Sequence, residues 1–292
     1  MKKVKPLLDL RGANERLALW KADLCEEGSF DEAINGCHGV SHVATPVDFS
    51  PKDPENEVIK PAVKGTLDIL RACVKAKSVR RVIFTSSVAP VIAQDHQLSE
   101  YDESSWTDVE FCRSSKMWRW SNIRLAEENK LEVVTIAPSI IGPFIMQNMP
   151  GSVCLSTDHK YMIVILCLIY IIGNEAYYFV LMQHGPVHVD DLCNAHIFLY
   201  EHPAAKGRYI CSSHDKTILQ LAKMMRERYP EYDIPIEFKD CIETLKPLQL
   251  SSKKLTNLGF KFKYKVEDMF DQAIMLCREK GFIPLTTMPT QV

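Results

Sequence analysis

The run RRVIFTSS, Arg80–Ser87, carries the reading of the fold. Two basic residues lead into Val82-Ile83-Phe84-Thr85, apolar on both faces of a strand, and two hydroxyls follow. A parallel strand covered on both faces has that pattern, whereas a half-solvated antiparallel strand alternates. LEVVTIAPSIIGP (Leu131–Pro143) repeats it, GVSHVATP (Gly39–Pro46) is a strand stopped by Pro46, and LALWKADL (Leu17–Leu24) is a further short strand. Helical segments lie between them. Phe30–Cys37 is a short one closing on Gly36. A long one runs from about Asn56, read as its cap, to Lys77, with Pro61 in its early turns. Its apolar stripe is expected at Ile59, Val63, Leu67, Leu70 and Val74. Strands separated by helices imply an α/β fold with a doubly wound parallel sheet. Ligands of such sheets sit beyond the strands' carboxyl ends, which directs attention to Asp23, Thr45, Ser87 and Pro138.

The second half is more mixed. PVHVDDLCNAHIFLYEH (Pro186–His202) reads as a strand and then a helix with Asp190 or Asp191 near its N-cap, and Ile218–Tyr229 and Val266–Lys280 read as amphipathic helices. A soft boundary near Pro150 gives a Rossmann-type domain over 1–150 and a smaller substrate region over 151–292, with the segment 186–202 packing back on the first. The chain of 292 residues is 46% hydrophobic and 25% charged with a formal charge of -2. That balance gives no reason to expect nucleic acid or an anionic membrane surface as a partner. Ten cysteines without a C-x-x-C pair, most of them among apolar neighbours, fit a reducing compartment and point to the cytoplasm. Tyr161–Ile172 is apolar but, at 12 residues, too short for the ~20 that a spanning helix needs. No metal site is expected: His184 and His188 have ligand-like spacing, but Gly185 and Pro186 between them oppose a helix.

Several longer words narrow the ancestry: LWKADL, EGSFDEAI, HVATPVDF, DPENEVIKPAVKGTLDIL, RRVIFTSS, VHVDDLCNAHIFL, GRYICSSHD and SSKKLTNLGFKFKYKVEDMF. Together they resemble the plant dihydroflavonol 4-reductase family of extended short-chain dehydrogenase/reductases. The resemblance implies a Rossmann domain with a smaller C-terminal substrate region, NADP(H) as cofactor, and reduction of a carbonyl on a small polyphenol of the flavonoid type. In the family a tyrosine donates the proton, a lysine lowers that tyrosine's pKa, and a serine hydrogen-bonds the substrate oxygen. By resemblance Lys3 pairs with the adenosine 2′-phosphate, and Asp23 and Leu24 contact the adenine side. Val43, Ala44 and Thr45 lie along the cofactor, Ser87 is the catalytic serine, and Pro138 sits beside the nicotinamide.

The same resemblance exposes departures. The family's first strand, its T-G-x-x-G-x-x-G phosphate loop and its second strand are not found in residues 1–292, so the sheet is expected to be incomplete. The strand at Leu17–Leu24 must then pair with Gly39–Pro46 or stay unpaired, which predicts an unstable or aggregation-prone chain. None of the ten tyrosines has lysine four residues on, and Trp118-Arg119-Trp120-Ser121 stands where the tyrosine is expected. Ile92 and Gly185 occupy positions where the family places substrate-binding amides. These features predict an impaired or inactive reductase. The alternative is a non-catalytic relative that binds a flavonoid or associates with a related reductase.

Overall fold

The computed structural model describes residues 4–44, 52–92, 98–106, 131–143, 185–238 and 246–279. Its strands are β1 (Gly39–His42), β2 (Arg81–Thr85), β3 (Glu132–Pro138), β4 (Ile140–Gly142), β5 (Pro186–His188) and β6 (Gly207–Cys211). The longer helices are α1 (Lys60–Ala76), α2 (Val189–Glu201), α3 (Ile218–Arg228) and α4 (Val266–Glu279). A four-stranded sheet has the order β1-β2-β3-β6, and a second sheet pairs β4 with β5. β3 runs parallel to β6 from Val134 opposite Gly207 to Pro138 opposite Cys211, and β4 runs parallel to β5. The chain divides into two compact units. Residues 1–82, 122–133 and 146–162 form the first, and 83–121, 134–145 and 163–292 the second. Tyr161–Ile172 lies outside the described residues. Among those described, no helix is long and apolar enough to cross a membrane.

In the first unit α1 packs on a core of Ile34, Ile69, Leu70, Ala72, Cys73, Val79 and Val82. Its buried face is Gly65, Asp68, Ile69, Leu70, Ala72 and Cys73; of the expected stripe Leu70 is buried, Ile59, Val63 and Leu67 are half-buried, and Val74 is exposed. Small residues decide this. Gly65 lies against the Asp23–Cys25 turn, where an added Cβ would come within 3.1 Å of the Leu24 Cβ. Larger side chains on the expected stripe would hold the turn away. The helix also starts earlier than expected, through a π-helical turn over Glu55–Ile59. Asp53, not Asn56, supplies the cap, because its carboxylate accepts from the Asn56 backbone N–H at 3.2 Å.

The expected strand at Leu17–Leu24 is not formed: residues 17–23 have no regular structure and Leu24 enters a turn. Leu17 is extended (φ −107°, ψ 120°), but an extended segment becomes a strand only where a neighbour accepts its hydrogen bonds.

The second unit holds three apolar clusters. One lies around β3, β6 and α2, including Val134, Ile136, Leu199 and Tyr209. A second joins α3 and α4 through Leu221, Met225, Phe270 and Ile274. The third, Val88, Val91, Tyr101, Ala137, Ile210, Leu248 and Leu250, lies near the carboxyl ends of the strands. The cap of α2 is His188, not Asp190 or Asp191: its Nδ1 accepts from the Asp190 N–H at 3.1 Å. Asp191 is instead fully buried in the first turn, where its carboxylate accepts from the backbone N–H groups of Lys263 and Tyr264 at 3.0–3.2 Å. Its acceptor atoms thus tie α2 to the segment that leads into α4. Replacing Asp191 with Ala leaves two amides without their acceptor and is expected to cost about 2–6 kcal/mol, at 1–3 kcal/mol per unsatisfied group. Asp190→Ala, which loses a bond from the exposed Tyr264 hydroxyl, is expected to cost under about 1 kcal/mol. Urea melts of the two variants check the contrast.

Candidate active site at the strand carboxyl ends

β2 ends in Thr85-Ser86-Ser87, and hydrogen bonds to β3 carry the chain past the strand end. The Ser86 N–H donates to the Ile136 carbonyl at 2.7 Å, and the Val88 N–H to the Pro138 carbonyl at 3.0 Å. On the other side of β3, the Ser139 N–H donates to the Cys211 carbonyl at 3.1 Å. Ser87, Pro138, Ser139 and Ser212 are thereby gathered where three parallel strands end, the position at which open α/β sheets bind ligands. Ser87 Oγ accepts from the Ala89 N–H at 3.2 Å, which orients the hydroxyl and leaves its proton for an acceptor such as a carbonyl oxygen.

Other expected positions fall as follows. Ile92 ends the helical turn Ala89–Ile92 and packs against the strand-end cluster, so its side chain brings apolar surface there. Gly185 is buried in a close crossing of two chain segments. A Cβ there would lie 1.3 Å from the His214 carbonyl oxygen, so only glycine fits. Its own carbonyl accepts from the Ser139 hydroxyl. In the first unit, Asp23 organises a turn: its carboxylate accepts from the Cys25 N–H at 2.8 Å, and its backbone N–H donates to Ser29 Oγ at 2.6 Å. Leu24 packs against that unit's core, while Val43 and Ala44, just past β1, are exposed. Lys3, Thr45, His184 and Trp118–Ser121 lie outside the described residues. Among those described, no group of His, Cys, Asp and Glu could hold a metal ion.

The dinucleotide fit is partial. Residues 1–292 contain no G-x-G-x-x-G or G-x-x-G-x-x-G. Among the described residues, the positive-φ glycines 12, 28, 36, 207 and 259 do not connect a strand to a helix N-terminus, so none forms the backbone cradle that a pyrophosphate needs.

Sequence reasoning missed several polar groups beside the strand ends. The Thr85 hydroxyl lies 2.7 Å from His196 Nε2, and His196 Nδ1 lies 2.8 Å from the Leu192 carbonyl. A carbonyl only accepts, so Nδ1 carries the proton and Nε2 accepts from Thr85. Burial lowers the pKa of His196, and burial is the largest cause at His214 also. The Ser252 hydroxyl closes a loop with Ser212, accepting from its N–H at 2.9 Å and donating to its carbonyl at 2.8 Å. These pairs join residues 40 and 111 positions apart, and no local spacing announces them. A surface cleft of about 540 Å³ is lined by Tyr229, Asp271, Ile274, Met275, Arg278 and Glu279, and shares no residue with the strand ends.

The architecture places the chain among the Rossmann-type reductases of the extended short-chain dehydrogenase/reductase class. The model of the 3-beta hydroxysteroid dehydrogenase/isomerase family matches residues 3–118. The bifunctional dihydroflavonol 4-reductase/flavanone 4-reductase of Malus domestica is 54% identical over 97% of this chain and 82% of its own length. The chain belongs to the dihydroflavonol 4-reductase family. In structure it is similar to alfalfa vestitone reductase, with a TM-score of 0.77 and 35% identity over 95% of this chain and 87% of that one. The fold is also that of yeast methylglyoxal/isovaleraldehyde reductase, solved with NADPH, at a TM-score of 0.72 and 23% identity over 97% of this chain and 90% of that one.

Burial holds the pKa of His196 and His214 below the ordinary 6.5, so on unfolding they take up protons near that value. The stability they contribute is therefore complete above pH 6.5 and lost as pH falls through their depressed folded values. Denaturant melts at pH 7.5, 6.0 and 5.0 are expected to show a progressive fall, and His196→Gln is expected to flatten it.

Proposed function

We propose that the chain is a dihydroflavonol 4-reductase-like oxidoreductase whose ancestral reaction is NADPH-dependent reduction of a flavonoid-type carbonyl to an alcohol, and whose turnover in this sequence is strongly impaired. The 54% identity to the Malus domestica enzyme carries the reductase part of this reading. The absence of any tyrosine followed four residues on by lysine carries the impairment. In this reading Ser87 is the catalytic serine, its hydroxyl held by the Ala89 N–H and donating to the substrate oxygen. Asp23, Leu24, Val43, Ala44 and Thr45, with Lys3, belong to the cofactor side, and Pro138 lies beside the reacting ring. Ile92 and Gly185 replace amide contacts to the polyphenol. The cofactor part is assigned to residues 1–150 and the substrate part to 151–292.

A positioned proton donor is worth about 10²–10⁴ in rate. Reduction of a dihydroflavonol with NADPH is therefore expected at least ~10²-fold slower than with an intact relative, with the residual rate abolished by Ser87→Ala in a chain that still melts cooperatively. A rate equal to that relative's would overturn the impairment. Titration calorimetry is expected to show negligible NADPH binding, in keeping with the missing phosphate loop, and micromolar affinity would overturn that part; no binding of a dihydroflavonol would overturn the reductase reading itself.

A further inference from the structure

Two histidines of the second unit have both ring nitrogens engaged. His188 accepts at Nδ1 from the Asp190 N–H and meets the Gln272 side chain at Nε2, and His196 meets the Leu192 carbonyl and the Thr85 hydroxyl. A buried side chain with a purely structural role is satisfied in this way. His214, half-buried and three residues past the end of β6, differs. Its Nδ1 lies 2.7 Å from the Ser213 hydroxyl, which donates to the Pro186 carbonyl at 2.9 Å. A hydroxyl has a single proton, and here it goes to the carbonyl, which can only accept. The Ser213 oxygen therefore accepts from the His214 Nδ1–H. That leaves Nε2 as an acceptor with no hydrogen-bond partner among the described residues.

The histidine is held from two sides. Its carbonyl oxygen fills the space beside Gly185 that a Cβ would need, and Ser213 ties its ring to Pro186. The Ser139 N–H pairs with the Cys211 carbonyl, and the Ser139 hydroxyl donates to the Gly185 carbonyl, so these contacts belong to the strand carboxyl ends. Burial, with a smaller contribution from Lys216, holds the His214 pKa below 6.5 although Glu267 and Asp191 pull the other way. At pH 8 the ring is therefore neutral and Nε2 keeps its lone pair. In the order β2-β3-β6 this segment lies two strands from the one that carries Ser87, roughly 10 Å at ~4.8 Å per strand. A polyphenol with a fused ring pair and a pendant aryl ring spans that distance. One molecule can then present its carbonyl to Ser87 and a hydroxyl to His214.

We propose that His214 determines substrate specificity, its Nε2 accepting a hydrogen bond from a phenolic hydroxyl of the polyphenol whose carbonyl meets Ser87. The assignment rests on the reductase reading and adds to it a residue that selects among substrates. A nitrogen lone pair binds donors only, so it favours a free phenol over the corresponding methyl ether. The chain from His214 through Ser213 to the Pro186 carbonyl polarises the ring and strengthens Nε2 as an acceptor. A ring fixed before the substrate arrives also loses little freedom on binding.

Titration calorimetry of the full chain at pH 8 tests this with a dihydroflavonol and the set of its mono-O-methyl ethers. One ether is expected to bind about tenfold more weakly than the free phenol. His214→Phe, which keeps a ring and removes both nitrogens, is expected to bind that pair about equally while the circular dichroism is retained. Discrimination that survives in His214→Phe would overturn the proposal and leave the reductase reading intact, as would equal binding of every ether by the unaltered chain. No binding of the dihydroflavonol at all would overturn both. Should His214→Phe not melt cooperatively, Ser213→Ala decides. Without its partner the ring divides between two tautomers, and the discrimination is expected to fall about twofold. Unchanged discrimination in Ser213→Ala would overturn the assignment of Nε2.

Discussion

Two hydrogen bonds at the end of β3 organise the second unit: the Pro138 carbonyl accepts from the Val88 N–H, and the Ser139 N–H donates to the Cys211 carbonyl. A parallel sheet would otherwise end with unpaired groups at its carboxyl edge, and buried unpaired groups are costly. Extending the pairing one residue past the strands carries Ser87, Ser139 and Ser212 to one place. It also seats the strand-end cluster, since Val88, Ala137 and Ile210 belong to segments that these bonds align. The placement of the candidate serine is thus a consequence of completing the ladder.

Buried polar groups elsewhere obey the same requirement. Asp191 is fully enclosed, yet both its oxygens meet backbone N–H groups. His188, 1% exposed, accepts at Nδ1, lies 2.9 Å from the Gln272 side-chain oxygen at Nε2, and stacks on Tyr264 with ring centroids 3.6 Å apart. These contacts bind the start of α2 to α4 and the segment before it. The outer edge of β6 obeys it too: Glu103 accepts from the Ile210 N–H, and Lys254 donates to the Lys206 and Arg208 carbonyls.

The sequence by itself determined the class. The doubly apolar runs around Val82–Thr85 and Val133–Ala137, alternating with helical segments, require a parallel α/β sheet, and the collinear words identify the family. It also located Ser87 and Pro138 at strand ends, because hydroxyls and a proline close those apolar runs. Tertiary structure decided which face of α1 is buried, since close approach of the Asp23–Cys25 turn depends on the small Gly65 rather than on the most apolar stripe. It also decided that Leu17–Leu24 is no strand, because pairing needs a neighbour that local pattern cannot supply. The His196–Thr85 and Ser212–Ser252 pairs, and the glycine requirement at Gly185 against the His214 carbonyl, were settled in the same way. Each depends on segments distant in the chain meeting in space, and residue spacing holds no information about that meeting.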